Sequence, residues 1–170
     1  MAATPGLVDL HCSAVTRELG EPAPGSAGTM THVVLVELPM PWPKNIEDHP
    51  LLVGADLSGK KLFGIATTRP ATEMHAVISY RAIGAGSTDF HRAERSAPTA
   101  EVADFVSATD TWSHQVPTTG DLLVCTHGTH DRCCGQYGTL LHGEVLAQAP
   151  TPPTCGVPAT LAATGLPPPY

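Results

Sequence analysis

The stretch from Thr31 to Pro43, THVVLVELPMPWP, limits the fold more than any other part of the chain. Its run of β-branched and apolar residues suits a buried strand, and three prolines within five residues, Pro39, Pro41 and Pro43, stop that strand because proline has no ladder donor. KLFGIATTRP and HAVISYRAI read as two further strands, with Phe63 and Ile65, then Val77, Ser79 and Arg81, alternating as half-buried strands do. The three are compatible with one sheet. In PTAEVADFVSA, Val102, Phe105 and Val106 recur at i, i+3 and i+4, predicting a short amphipathic helix with Thr99 as N-cap and Glu101 in the first turn. DLLVC predicts another apolar strand. After a polar loop, Tyr137, Leu141 and Val145 share a helical face that runs to Ala149. The pattern gives an α/β (α+β) chain with a mixed sheet.

Composition narrows the partners. With 170 residues and 42% hydrophobic content the chain can bury a core. Its 16 acidic and 9 basic residues give a formal charge of −7, with no Lys/Arg cluster, which argues against nucleic acid as a partner. No apolar run approaches the ~18 residues of a membrane span, and MAATPGLVDLHC has neither the basic start nor the apolar core of a signal peptide. The expectation is a cytoplasmic protein without membrane contact. Five cysteines, three of them between Cys125 and Cys134, fit a metal or redox site better than a secreted disulfide framework.

The chemistry concentrates in LLVCTHGTHDRCCGQYG, where the ten residues Cys125 to Cys134 hold three cysteines and two histidines between a strand and a helix. Thiolates and imidazoles are the ligands that iron–sulfur clusters, zinc and copper(I) select. The gap between Cys125 and Cys134 is wider than the Cys-x2-4-Cys knuckle of structural zinc, and no second Cys-x2-Cys follows. A Cys-x-x-Cys dithiol for disulfide exchange is also absent. Cys133, adjacent to Cys134, offers only a strained vicinal disulfide.

VCTHGTHDRCCGQYG resembles the sucrase/ferredoxin-like proteins, whose C-terminal half is a thioredoxin-like ferredoxin lobe with a CTHG…RDxxCG signature. HCSAVTRELGEPAPGSAG followed by VVLVELPMPWP is similar to that family's N-terminal segments, and AVISYRA…FHRAE to its middle strands, so the resemblance covers roughly residues 9 to 149. His130 departs from it, standing where Arg or Lys is common. The resemblance implies a [2Fe–2S] cluster held by two cysteines of this loop and by two histidines of a later Ser-His-x-Gly-Gly-His segment. The cysteines carry over to Cys125 and Cys134, with Cys133 as a neighbour. Cys134 also precedes Gly135 at a helix entry, where backbone N–H groups favour a thiolate. His127 and His130 are solvated loop residues, or else hydrogen-bond donors to cluster sulfur or substitute ligands. The implied function is electron transfer to an unidentified redox partner protein, by a carrier rather than a catalyst, since no nucleophile, base and oxyanion set is apparent. No carboxylate pair supports a glycosidase. The alternatives are a zinc or copper(I) module built on Cys125, His127, Cys133 and Cys134, and a non-functional product of a disrupted gene.

No histidine follows His142, so the second ligand pair is missing. Where it is expected, TCGVPATLAATGLPPPY stands in a tail with no charge from Val145 onward and seven prolines among the 21 residues from Pro150. Read from the third base of the Thr154 codon, the degenerate codons of that segment allow Val-Trp-Arg-Ala-Ser-His-Leu-Gly-Gly-His-Arg, the missing motif in another frame. The expected organisation is therefore an N-terminal lobe over 1–117, the start of a thioredoxin-like lobe over 118–149, and an irregular, out-of-frame tail over 150–170. That tail leaves the Tyr137/Leu141/Val145 face or the Leu122–Val124 edge uncovered. Among the other residues, Cys12 reads as a small packed residue, Asp131 and Arg132 as loop braces, and Trp42 and Trp112 as core or lobe-interface residues. Cys155 is assigned nothing.

Overall fold

All six residues of strand β1 (His32–Glu37) are buried, the environment that the run of valines and leucine suits. In the computed structural model, which describes residues 17–20, 29–66, 73–85, 87, 89–115, 122–128, 134–148 and 160–164, this strand lies inside a mixed sheet. With β2 (Lys61–Ile65), β3 (Met74–Ala82), β4 (Phe90–Pro98), β5 (Leu122–Val124) and β6 (Thr160–Thr164), the strand order is β4-β3-β1-β2-β6-β5. β1 is parallel to β2 and antiparallel to β3, and β3 is antiparallel to β4 over nine paired positions, Met74 with Pro98 through Ala82 with Phe90. The α+β class expected from the sequence is the class observed.

Alternation along β1 feeds two apolar layers. Val34 and Val36 point into a core with Leu38, Trp42, Ile46, Leu62, Val77 and Trp112, while Val33 and Leu35 join Ile65 and Ile78 on the opposite face. Both tryptophans are thus core residues. β3 corrects the half-buried reading: His75 through Ser79 are all buried, because the sheet is covered on both faces there. The buried polar groups among them have partners. His75 lies between the Glu37 carbonyl, to which Nδ1 donates at 2.9 Å, and the Thr99 hydroxyl, 3.0 Å from Nε2.

Helix α1 (Val102–Ala108) follows a single 3-10 turn, Thr99–Glu101, and buries Val102 and Val106 as the spacing predicted. Thr99 is not its cap. The Thr99 hydroxyl lies 3.1 Å from the Glu73 carbonyl and 3.0 Å from His75 Nε2, and α1 is entered from Glu101 without a side-chain cap. Helix α2 (Thr139–Gln148) leaves Tyr137, Leu140 and Leu141 exposed around its first turns, whereas Val145, on the face expected to be uncovered, is half-buried.

The tail departs from expectation. Within 150–170, residues Thr160–Thr164 form β6, antiparallel to β2 through Gly64–Thr164 and Ile65–Ala163, and parallel to β5 through Leu122–Thr160, Leu123–Leu161 and Val124–Ala162. The irregular tail is corrected for those five residues, and one edge of β5 is paired. Prolines lie at 150–158 and 167–169, so the window between them keeps every ladder donor. The rest of the tail, Cys12 and the expected boundary at 117/118 lie outside the described residues.

Candidate functional site

β5 ends at the buried Val124 and hands the chain to Cys125, an exposed free thiol. Two residues on, the chain turns inward: His127 is only 3% exposed, and its ring stands edge-to-face on Trp42 with centroids 5.9 Å apart. Trp42 is itself held by donating its indole N–H to the Leu38 carbonyl at 3.1 Å. The prolines that end β1 thus belong to the segment that carries Trp42 to the cysteine turn. An apolar anchor sits two residues from the exposed thiol.

A five-residue π-helical turn, Cys134–Gly138, leads into α2 and folds back onto that same segment. The return depends on glycine. A Cβ on Gly135 would stand 2.5 Å from the Gly128 Cα, and one on Gly138 would collide with the Cys125 carbonyl oxygen. Residues 125–128 and 135–138 therefore meet backbone to backbone, Gly128 against Gly135 and Cys125 against Gly138. The Thr139 hydroxyl closes the π turn by donating to the Gly135 carbonyl at 2.6 Å. Single π turns inside helices often accompany functional sites.

Replacing Gly138 by alanine is expected to push the two segments apart, since the colliding atom is backbone and cannot rotate away. The cost is about 1–3 kcal/mol, typical of overpacking. Faster reaction of Cys125 with a thiol reagent, with unchanged hydrogen exchange in β1 and β3, is the expected signature. Unaltered Cys125 reactivity would mean that the contact does not hold the loop.

The predicted site residues fall into three groups. Cys125 and His127 are placed as above, and the backbone of Cys134 opens the π turn. His130 and Cys133, with Asp131 and Arg132, lie outside the described residues. Among the described residues no group of three or more His, Cys, Asp or Glu is arranged to hold a metal ion. No helix among them is long and apolar enough to cross a membrane. Sequence reasoning passed over a second polar cluster, formed by His32, Ser79, Asp110 and His114. Its members are scattered along the chain, and no spacing rule joins them.

The fold and the turn define an α+β protein whose cysteine-bearing strand–turn–helix unit is docked on a central mixed sheet. The sucrase/ferredoxin-like family model matches residues 23–157, and the chain belongs to that family. No curated protein and no solved structure matches the chain.

Proposed function

We propose that the protein is an electron carrier in which Cys125 and Cys134 are the thiolate ligands of a [2Fe–2S] cluster. The observation that supports this reading is the glycine-mediated contact of 125–128 with 135–138, which packs the segment that begins at Cys125 against the segment that follows Cys134. Family membership supports it. The chemistry of the donor set fits one half of such a site: two cysteines suit one iron, and the described residues offer no further cluster of ligands. A bound cluster supplies a one-electron couple. The chain's own contribution is positional. Gly128, Gly135 and Gly138 permit the close return, and Trp42 fixes the His127 ring. The alternative frame after Thr154 offers a histidine pair at the 159/160 and 163/164 codon junctions as second ligands, in place of strand β6, which the chain as written forms there and which weighs against that frame.

Metal and sulfide analysis tests this on two proteins, the chain as written and one translated in that alternative frame after Thr154. The chain as written is expected to hold iron weakly. The reframed protein is expected to bind iron and sulfide in equal amounts, to lose them when either Cys125 or Cys134 is replaced by Ser, and to keep them in Cys133→Ser. Zinc without sulfide, or retention in Cys134→Ser with loss in Cys133→Ser, overturns the assignment.

A further inference from the structure

A second group of polar side chains lies away from the cysteine turn, on the side of the sheet where β1 and β3 meet the turn Thr109–Thr111. His32 Nε2 is 2.8 Å from Ser79 Oγ, and the same oxygen is 2.8 Å from His114 Nε2. At one end, His114 Nδ1 lies 2.8 Å from the Trp112 carbonyl oxygen, and at the other, His32 Nδ1 lies 3.3 Å from Asp110 Oδ1. His32 is 6% exposed and Ser79 is fully buried.

Counting hydrogens decides how this chain is wired. Both ends, a carbonyl and a carboxylate, are acceptors, so four contacts require four hydrogens. Two neutral imidazoles and one hydroxyl supply three. One contact is therefore without a hydrogen at neutral pH, and the distances mark it as the 3.3 Å link between His32 and Asp110, since the other three are 2.8 Å. The charges around it agree. Asp110 already accepts from Lys60 Nζ at 2.9 Å and from the Arg81 guanidinium, and these two cations favour a lone pair rather than a proton on the neighbouring His32 Nδ1.

We propose that the Asp110–His32–Ser79–His114 chain is a proton-accepting site, open at neutral pH, whose fourth hydrogen enters at His32 Nδ1 on acidification and completes the link from β1 to the Thr109–Thr111 turn. In the neutral state His32 carries its hydrogen on Nε2 and donates to Ser79, Ser79 donates to His114 Nε2, and His114 Nδ1–H donates to Trp112. This polarity is opposite to that of a hydrolytic Ser-His-Asp triad, in which the histidine donates to the carboxylate and accepts from the serine. The burial of Ser79 also closes it to a substrate. The groups facing the site come from every packed element: Arg81 from β3, Lys60 from the entry to β2, Asp110 from the turn, and His91 of β4 towards His114. Burial, Arg81 and Lys60 lower the His32 pKa to about 4 against the opposing pull of Asp110, so the site fills only in acid. Burial lowers that of His114 as well, against its hydrogen bond to the Trp112 carbonyl.

Ring nitrogen NMR of the full chain tests the wiring directly. At pH 7 the expected pattern is an Nε2–H tautomer for His32 and an Nδ1–H tautomer for His114, both neutral. On titration, an Nδ1–H signal of His32 is expected to appear with a midpoint near pH 4. In Ser79→Ala the chain is cut, and His32 is expected to switch to the Nδ1–H form at pH 7, because Asp110 is then its stronger acceptor. A His32 Nδ1–H tautomer in the unaltered protein, or a His114 imidazolium at pH 7, overturns the proposal, and both are read without any variant.

Discussion

Replacing Trp42 by alanine is expected to lower the unfolding free energy by about 3–5 kcal/mol, the range for deleting a large buried aromatic side chain. The loss has three sources. Trp42 is 9% exposed within the apolar layer that includes Leu38, Ile46, Leu52 and Leu62, so its removal leaves a cavity lined by residues of β2 and of the β1–β2 connection. The Leu38 carbonyl loses its indole donor, and the His127 ring loses its edge-to-face partner. Against a typical domain stability of about 5–15 kcal/mol this is a large fraction. The third loss also has a local readout: Cys125, two residues from His127, should react faster with a thiol reagent under native conditions. Trp42→Phe, which keeps an aromatic surface but no indole donor, should recover most of the stability. A loss below about 1 kcal/mol for the alanine variant, measured by denaturant unfolding, would show that the layer collapses around the gap and that the tryptophan is not its keystone.

Legibility followed local chemistry. β1 could be read directly, because a run of β-branched residues closed by prolines has few other uses. β4, Phe90–Pro98, was reached only through FHRAE and the family resemblance: Glu94, Arg95 and Ser96 are exposed on an edge strand, and their polarity by itself resembles a loop until the pairing with β3 is seen. β6 was obscured by averaging. Proline content taken over 150–170 predicts irregular chain, yet Thr160–Thr164 falls in a proline-free window where backbone pairing to β2 and β5 is open. The Cys125 to Cys134 motif was visible in the sequence, but the close backbone approach beside it, at Gly128, Gly135 and Gly138, is a three-dimensional property. The cluster around His32 was illegible for the same reason. Its contacts span 47 residues from His32 to Ser79 and 35 from Ser79 to His114, and each residue alone reads as an ordinary polar side chain.

The same histidine makes the fold sensitive to acid, with a sign that follows from its environment. In the folded protein the His32 pKa is lowered from 6.5 to about 4, first by burial and then by Arg81, with Lys60 acting in the same direction and Asp110 opposing. The unfolded chain therefore binds a proton on His32 that the folded chain refuses between those two values. Stability rises with pH wherever the unfolded state holds more protons, so the contribution of His32 is complete above about pH 6.5 and is lost progressively as pH falls towards 4. His114, lowered chiefly by burial, acts with the same sign. Asp110 works in a different window. Lys60 holds its carboxyl below the ordinary 3.8, so its ion pairs fail only in stronger acid. Denaturant unfolding at pH 7 and at pH 4.5 should differ by about 2–3 kcal/mol, at about 1.4 kcal/mol for each pH unit spanned by the shift. In His32→Gln, stability at pH 7 should fall, because Ser79 loses a buried partner, but most of the dependence between pH 7 and pH 4.5 should vanish. An unchanged slope in that variant would place the acid sensitivity on another group, whereas a flat profile in the unaltered protein would mean that His32 takes its proton freely in the folded state, with burial and the two neighbouring cations too weak to keep it neutral.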